Sequence, residues 1–379
     1  MTRLPATSLL AERQRRLGAA LLERRLDAFV VTTPANIRYL SNHVGSAGIL
    51  LVRDGDLRLL VDFRYREAVQ VLQASSAACP DLTVVPVGAS YEEALAECLA
   101  EAGLPRVGVE GGHLTVARFD WLRQALTARR SPTVLEPTER VVERLRVVKD
   151  PYEIAALRTA AARLTAVAER ACDAVRPGVP ERAVAAAIER ELREAGFERP
   201  AFDTIVASGP NAALPHHRAG DRVLETGDAV VLDFGGVLDG YCSDLTLTVS
   251  AGPPTGELRR VYASVLAAQQ AAIRSVRPGV EAHAVDAAAR GSLEADGLGE
   301  AFGHGTGHGL GLDVHEEPRL ARRRTDSPGV VLEPGMVFTV EPGAYLPGWG
   351  GVRIEDDVLV TPDGCDVLTS VSRELRACG

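Results

Sequence analysis

The strongest constraint on how this chain folds is where four acidic residues fall within strand-like segments. In 229–235, Val230, Leu232 and Phe234 share one face by two-residue alternation, and Asp233 points the other way. In 243–250, Leu245, Leu247 and Val249 make an apolar face, while Asp244, Thr246 and Thr248 point opposite. The glycine-bearing stretch 235–241 between them reads as a hairpin loop, which sets Asp233 and Asp244 on neighbouring strands. The pattern recurs near the C-terminus. Met336, Phe338 and Val340 alternate with Thr339 and Glu341, and Val352 and Ile354 alternate with Arg353 and Glu355. Each acid lies on the polar side of a strand whose other side is suited to burial.

One such carboxylate is an ordinary solvated residue. Four brought together must raise one another's pKa or recruit cations. Two divalent ions remove the repulsion, and an oxygen-rich site with one imidazole suits Mn2+, Co2+ or Zn2+. The imidazole candidate lies in GHGTGHG, residues 303–309, a segment too rich in glycine for regular structure.

The rest of the chain supplies two frames for such a site. Residues 1–135 alternate helical stretches (8–25, 63–74, 90–102, 115–128) with short β-branched runs (28–32, 48–52, 57–61, 83–87, 106–109), the pattern of an α/β domain. From 136 onward, a linker helix at 139–148 precedes a strong helix start, with Asp150 to cap, Pro151 in the first turn and Glu153 to complete a capping box. Further amphipathic helices at 181–195, 256–275 and 281–295 alternate with strand-rich, Gly- and Pro-rich segments, which gives an α+β domain over 136–379.

Composition narrows the function classes. A net charge of −9 argues against non-specific nucleic-acid binding, and no apolar run approaches the ~18 residues of a membrane span. The N-terminus lacks a secretory pattern, and the cysteines at 79, 98, 172, 242, 365 and 378 form no C-x-x-C pair. A cytoplasmic protein with reduced thiols is the expectation. Lys149 is the only lysine, which reads as compositional bias and removes Schiff-base and lysine-nucleophile chemistry.

The segments LDFGGVLDGYCSD, FGHGTGHGLGLDVHEEP, TVEPGAY and GGVRIEDD, with FDTIVASGPNAALPHH upstream, resemble the pita-bread metallopeptidases, the family of prolidase, aminopeptidase P and methionine aminopeptidase. IRYLSNHVGSAGILLV and LLVDFRYREA resemble the creatinase-type N-terminal domain that accompanies the Xaa-Pro peptidases, which argues against methionine aminopeptidase. The resemblance implies a creatinase-type α/β domain followed by an α+β pita-bread catalytic domain. It implies that Asp233, Asp244, His308, Glu341 and Glu355 hold two divalent ions per subunit, with Mn2+ the first expectation and Co2+ or Zn2+ the alternatives. Asp244 and Glu355 would bridge both ions.

It further implies that His216, His304 and His315 contact substrate and that Arg353 orients the ligand carboxylates. Glu341 is expected to exchange a proton with the attacking water, and His315 to donate to the developing oxyanion. Leu247 stands where the family commonly has Arg. His43, His113 and His283 read as structural, Tyr241 as local packing, and His217 as either a supporting residue or a spectator. The expected activity is removal of the residue before proline at the N-terminus of peptides, an Xaa-Pro aminopeptidase. An Xaa-Pro dipeptidase is the alternative, and Arg319, with the run at 322–324 nearby, is a candidate anchor for its substrate's carboxylate. A metal-free relative acting as a creatinase-type hydrolase or binding protein is remote, because all five ligand positions are filled. The resemblance also implies a homodimer.

Overall fold

The computed structural model describes residues 4–323 and 329–379. The chain divides after Arg146 into two compact units. In the first, the elements are α1 (Thr7–Glu23), β1 (Ala28–Val31), α2 (Pro34–Ser41), β2 (Ile49–Arg53), β3 (Asp56–Val61), α3 (Phe63–Gln73), β4 (Leu82–Pro86), α4 (Tyr91–Ala102), β5 (Arg106–Glu110), α5 (Val116–Ala128), β6 (Val134–Thr138) and α6 (Val141–Arg146). Six strands form one sheet in the order β4-β3-β2-β1-β5-β6, with β2 antiparallel to both neighbours and the other pairs parallel. Val30, Ile49, Leu51 and Leu60 pack with Leu95, Leu99, Leu122 and Leu126 of α4 and α5. The unit extends past the 135 expected from sequence for a structural reason: β6 pairs with β5, and α6 packs against α1.

The second unit contains α7 (Pro151–Ala171), α8 (Glu181–Glu194), β7 (Arg199–Pro200), β8 (Ile205–Ser208), β9 (Ala229–Leu238), β10 (Tyr241–Ala251), α9 (Gly256–Ser275), α10 (Ala282–Ala295), β11 (Gly307–Gly309), β12 (Glu316–Leu320), β13 (Val337–Val340), β14 (Gly343–Leu346), β15 (Gly350–Arg353), β16 (Asp356–Thr361), β17 (Gly364–Val367) and β18 (Ala377–Cys378). Helix α7 starts as the sequence predicts, with a complete capping box between Asp150 and Glu153. One sheet runs β18-β10-β9-β7, with β8 also on β9; a second runs β12-β11-β13-β16-β17; and β14 pairs with β15. Leu232, Phe234, Leu245, Leu247 and Val249 pack under α7 and α8, whereas Phe338, Val340, Val352 and Val358 pack under α9 and α10. The apolar parity of each strand thus faces helices, and the acidic parity faces away from them. Leu247 belongs to the helix-covered face, away from the acids.

Two local expectations are corrected. Residues 235–241 are not a loop: the strands continue to a two-residue turn at Asp239 and Gly240, both with positive φ (48° and 78°), the twist that favours Asp-Gly in tight hairpins. Gly236 is needed for close packing, since a Cβ there would meet the Phe197 ring at 2.4 Å. Glu341 and Glu355 are not mid-strand either. They lie at breaks, between β13 and β14 and between β15 and β16, where a long bent hairpin passes from one sheet to another. No helix of the described residues is long and apolar enough to cross a membrane.

Candidate metal centre

The hairpin β9–β10 pairs Asp233 with Thr246 and Asp244 with Gly235, so the two aspartates sit diagonally on adjacent strands with the Phe234–Leu245 pair between them. Glu355 is brought to them by its backbone N–H, which donates to Thr246 O at 3.1 Å. Thr246 Oγ1 in turn donates to Glu355 Oε2 at 2.6 Å. His308 is held on β11 by its N–H donating to Thr339 Oγ1 at 3.1 Å, and Thr339 Oγ1 donates to Glu341 Oε1 at 3.3 Å. His308 Nε2 ends 3.5 Å from Glu341 Oε1 and 3.8 Å from Asp244 Oδ2. Asp244, His308 and Glu355 each present a ligand atom within 4.8 Å of the others.

All five expected ligand positions, together with His216, His304, His315, Arg319 and Arg353, line one cavity of about 990 Å3. Arg322 and Arg323 are not among its lining residues, and residue 324 lies outside the described residues. His43 and His113 belong to the first unit and His283 to α10. Tyr241 is buried, with its hydroxyl donating to Glu153 Oε1 at 3.3 Å.

The electrostatics are those of uncompensated negative charge. Burial, then Asp233, Asp357 and Glu341, push the Asp244 carboxyl up. Glu355 is raised by burial and by Asp244, Glu341 and Asp233. Burial pushes Glu341 up to about 7, against the pull of Arg353. Burial also lowers His304 and His308 to about 4, and lowers His315 with help from the Arg319 charge. Neutral imidazoles and a crowd of carboxylates are what a cation site presents before its cation arrives. Asp244 Oδ1 is buried with no hydrogen-bond partner. A donor set of four carboxylates and one imidazole fits a divalent ion of intermediate hardness.

Among the described residues, Arg353 is the one cation buried among these acids. It donates from Nη2 to Asp233 Oδ2 at 2.5 Å, from Nη1 to the Tyr345 hydroxyl at 2.9 Å and from Nε to Thr246 Oγ1 at 3.2 Å. Tyr345 was not singled out from sequence, although TVEPGAY contains it. Its hydroxyl also lies 2.8 Å from His304 Nε2, and the His304 ring packs 5.1 Å edge-on to Phe302. Glu181 carried no local sequence signal. Fully buried, its carboxylate accepts from Ser208 and Asn211 and contacts His217 Nε2 at 2.8 Å, so His217 braces the wall that carries His216. His315 lies with its ring 4.3 Å from that of His308.

Residues 155–362 match Metallopeptidase family M24, and residues 13–148 match the Creatinase/Prolidase N-terminal domain. An Xaa-Pro dipeptidase from Pyrococcus furiosus is 34% identical over 96% of this chain and 99% of its own. A solved Xaa-Pro dipeptidase from Bacillus anthracis superposes with a TM-score of 0.89 at 38% identity, covering 97% of this chain and 99% of that one. An X-Pro aminopeptidase from Thermotoga maritima superposes at 0.83 with 35% identity, covering 94% and 99%. With a creatinase-type first unit and a pita-bread second unit, the chain belongs to metallopeptidase family M24.

Proposed function

We propose that this metallopeptidase is an Xaa-Pro dipeptidase that works with two divalent cations, Mn2+ first among them, held by Asp233, Asp244, His308, Glu341 and Glu355. The observation that supports the cation site is the unpartnered, buried Asp244 Oδ1 among raised carboxylates. Bound divalent cations would supply Lewis acidity at the scissile carbonyl and acidify water.

The chain's own groups do the rest. Glu341, on the cavity wall 3.5 Å from His308 Nε2, is placed to accept a proton from the attacking water and return it. His315 is neutral there and keeps one N–H for the oxygen of the attacked carbonyl. His304 and Tyr345 form a wall for the proline ring, with Phe302 packed behind His304. Arg353 fixes Asp233, and His216 lies on the outer wall of the cavity. A tertiary Xaa-Pro amide has no N–H, so recognition must come from such side chains rather than from strand pairing.

Sequence alone ranks aminopeptidase ahead of dipeptidase; the names of the relatives favour the dipeptidase reading. Both the Pyrococcus protein and the more similar of the two solved structures carry the dipeptidase name. Arg319 on the cavity wall suits the free carboxylate of a dipeptide. The Thermotoga enzyme supports aminopeptidase activity as the second reading. Turnover of an Xaa-Pro dipeptide against an Xaa-Pro-Yaa tripeptide decides between them: dominant dipeptide hydrolysis is expected, and dominant tripeptide hydrolysis would restore the aminopeptidase order. A cytoplasmic homodimer is the accompanying expectation, and light scattering of the purified chain tests the dimer.

A further inference from the structure

Of the 42 lysine and arginine residues, only Lys149 is lysine. A chain that uses arginine at every other basic position keeps an ammonium here, and the surroundings give a physical reason. The Lys149 side chain has no solvent exposure. Its Nζ donates to Glu316 Oε2 at 3.1 Å and to Val147 O at 3.3 Å. Its backbone N–H donates to Gly335 O at 2.9 Å, and Val148 bridges Met336, so the base of the side chain is fixed to the segment leading into β13. A compact ammonium satisfies two acceptors in a closed space, whereas the larger planar fork of arginine demands room on every edge.

Glu316 follows His315 directly and is itself only 8% exposed. Its Oε1 accepts from Asp313 N at 3.1 Å, which folds the turn 311–315 back on the carboxylate. The turn is tight against it, since a Cβ on Gly311 would meet Glu316 Oε1 at 2.6 Å. Gly311 O accepts from Cys242 N at 2.8 Å, tying the other end of the turn to β10. The only side chain this turn sends to the metal centre is His315, packed on His308.

We propose that Lys149 is a positioning residue for the peptidase reaction: through Glu316 it sets the turn that aims His315 at the substrate carbonyl. The inference rests on the reading of His315 as the carbonyl-facing donor. Without the ammonium, Glu316 loses this buried charge contact, the turn relaxes around it, and His315 loses aim. A displacement of about 1 Å at such a donor costs on the order of 100-fold in rate.

The test is a double-mutant cycle on the full-length, Mn2+-loaded chain with an Xaa-Pro dipeptide. Lys149→Met is expected to lower kcat roughly 10- to 100-fold with KM within about twofold, and Lys149→Arg to fall as far. Added to His315→Ala, Lys149→Met should cost nothing more. In the metal-free protein, the His315 imidazole NMR signal should move or broaden in Lys149→Met while that of His304 stays in place. Glu316→Gln, which keeps the shape of the turn, provides the same cycle if Lys149→Met does not fold. Losses that multiply in the double variant, or a His315 signal that does not move, would overturn the inference alone. Wild-type kcat in His315→Ala would remove the reading beneath it.

Discussion

Each unit buries a carboxylate to nearly the same depth, Glu110 at 6% exposure in the first and Asp244 at 5% in the second, yet their surroundings are opposite. Glu110 Oε2 accepts from the backbone N–H and hydroxyl of both Thr32 and Thr33, and Oε1 accepts from Asn36 Nδ2. Asp244 Oδ1 accepts from nothing, and the charges that bear on the carboxylate are mostly those of further acids, Asp233, Asp357 and Glu341. Burial alone therefore does not mark a functional carboxylate. A buried acid surrounded by donors holds a fold together; one surrounded by acids needs a cation from outside.

The contrast breaks first, and by the largest margin, on activity. Asp244→Ala should lower kcat/KM on the order of 1000-fold or more with loss of bound metal, the several kcal/mol such cations contribute. Steady-state assays beside metal analysis check this. Stability should move the other way. Glu110→Ala strands several donors and should cost about 3 kcal/mol in denaturant unfolding, whereas Asp244→Asn should make the metal-free protein more stable by removing a charge that burial disfavours.

Specificity sharpens the picture at a smaller scale. Arg319→Ala should raise KM for an Xaa-Pro dipeptide by about 10- to 100-fold, the worth of a charge-assisted pair, while leaving a substrate amidated at its C-terminus nearly unaffected. The smallest expected effect is a pH dependence of melting. Glu341 rises from the ordinary carboxylate range to about 7 on folding, and Asp244 and Glu355 rise as well. Folded groups that bind protons more tightly than unfolded ones favour the native state at low pH, and that contribution disappears as pH climbs through their folded pKa. His304 and His308, lowered to about 4, act in the opposite sense over this range. The carboxylate part is therefore read as a difference: between about pH 4.5 and pH 8 the metal-free wild type should lose a few degrees more of melting temperature than metal-free Glu341→Gln.

How far the site could be read from the chain depends on the kind of signal. Two-residue alternation is local, so it assigns Asp233 and Asp244 to the same side of a hairpin from the sequence itself. The same logic placed Glu341 and Glu355 on the polar side but missed that they sit at strand breaks, because the bend comes from one hairpin being shared between two sheets. Gly235 and Gly236 looked like a loop because the reason for them, close approach of Ser243 O and the Phe197 ring, is tertiary. Tyr345, Glu181 and the Lys149–Glu316 pair escaped for the same reason: their partners are 8, 36 and 167 residues away in the chain. The domain boundary fell short because β6 is a short edge strand with Pro137 in it, weak by composition and defined by its pairing with β5.

The most direct test is calorimetric titration of chelator-stripped protein with Mn2+, alongside recovery of Xaa-Pro hydrolysis. The account predicts two ions taken up per chain, activity returning in step with them, and uptake abolished or reduced in Asp244→Ala. Full hydrolysis by stripped protein, or Mn2+ uptake by Asp244→Ala that matches the wild type, would contradict it.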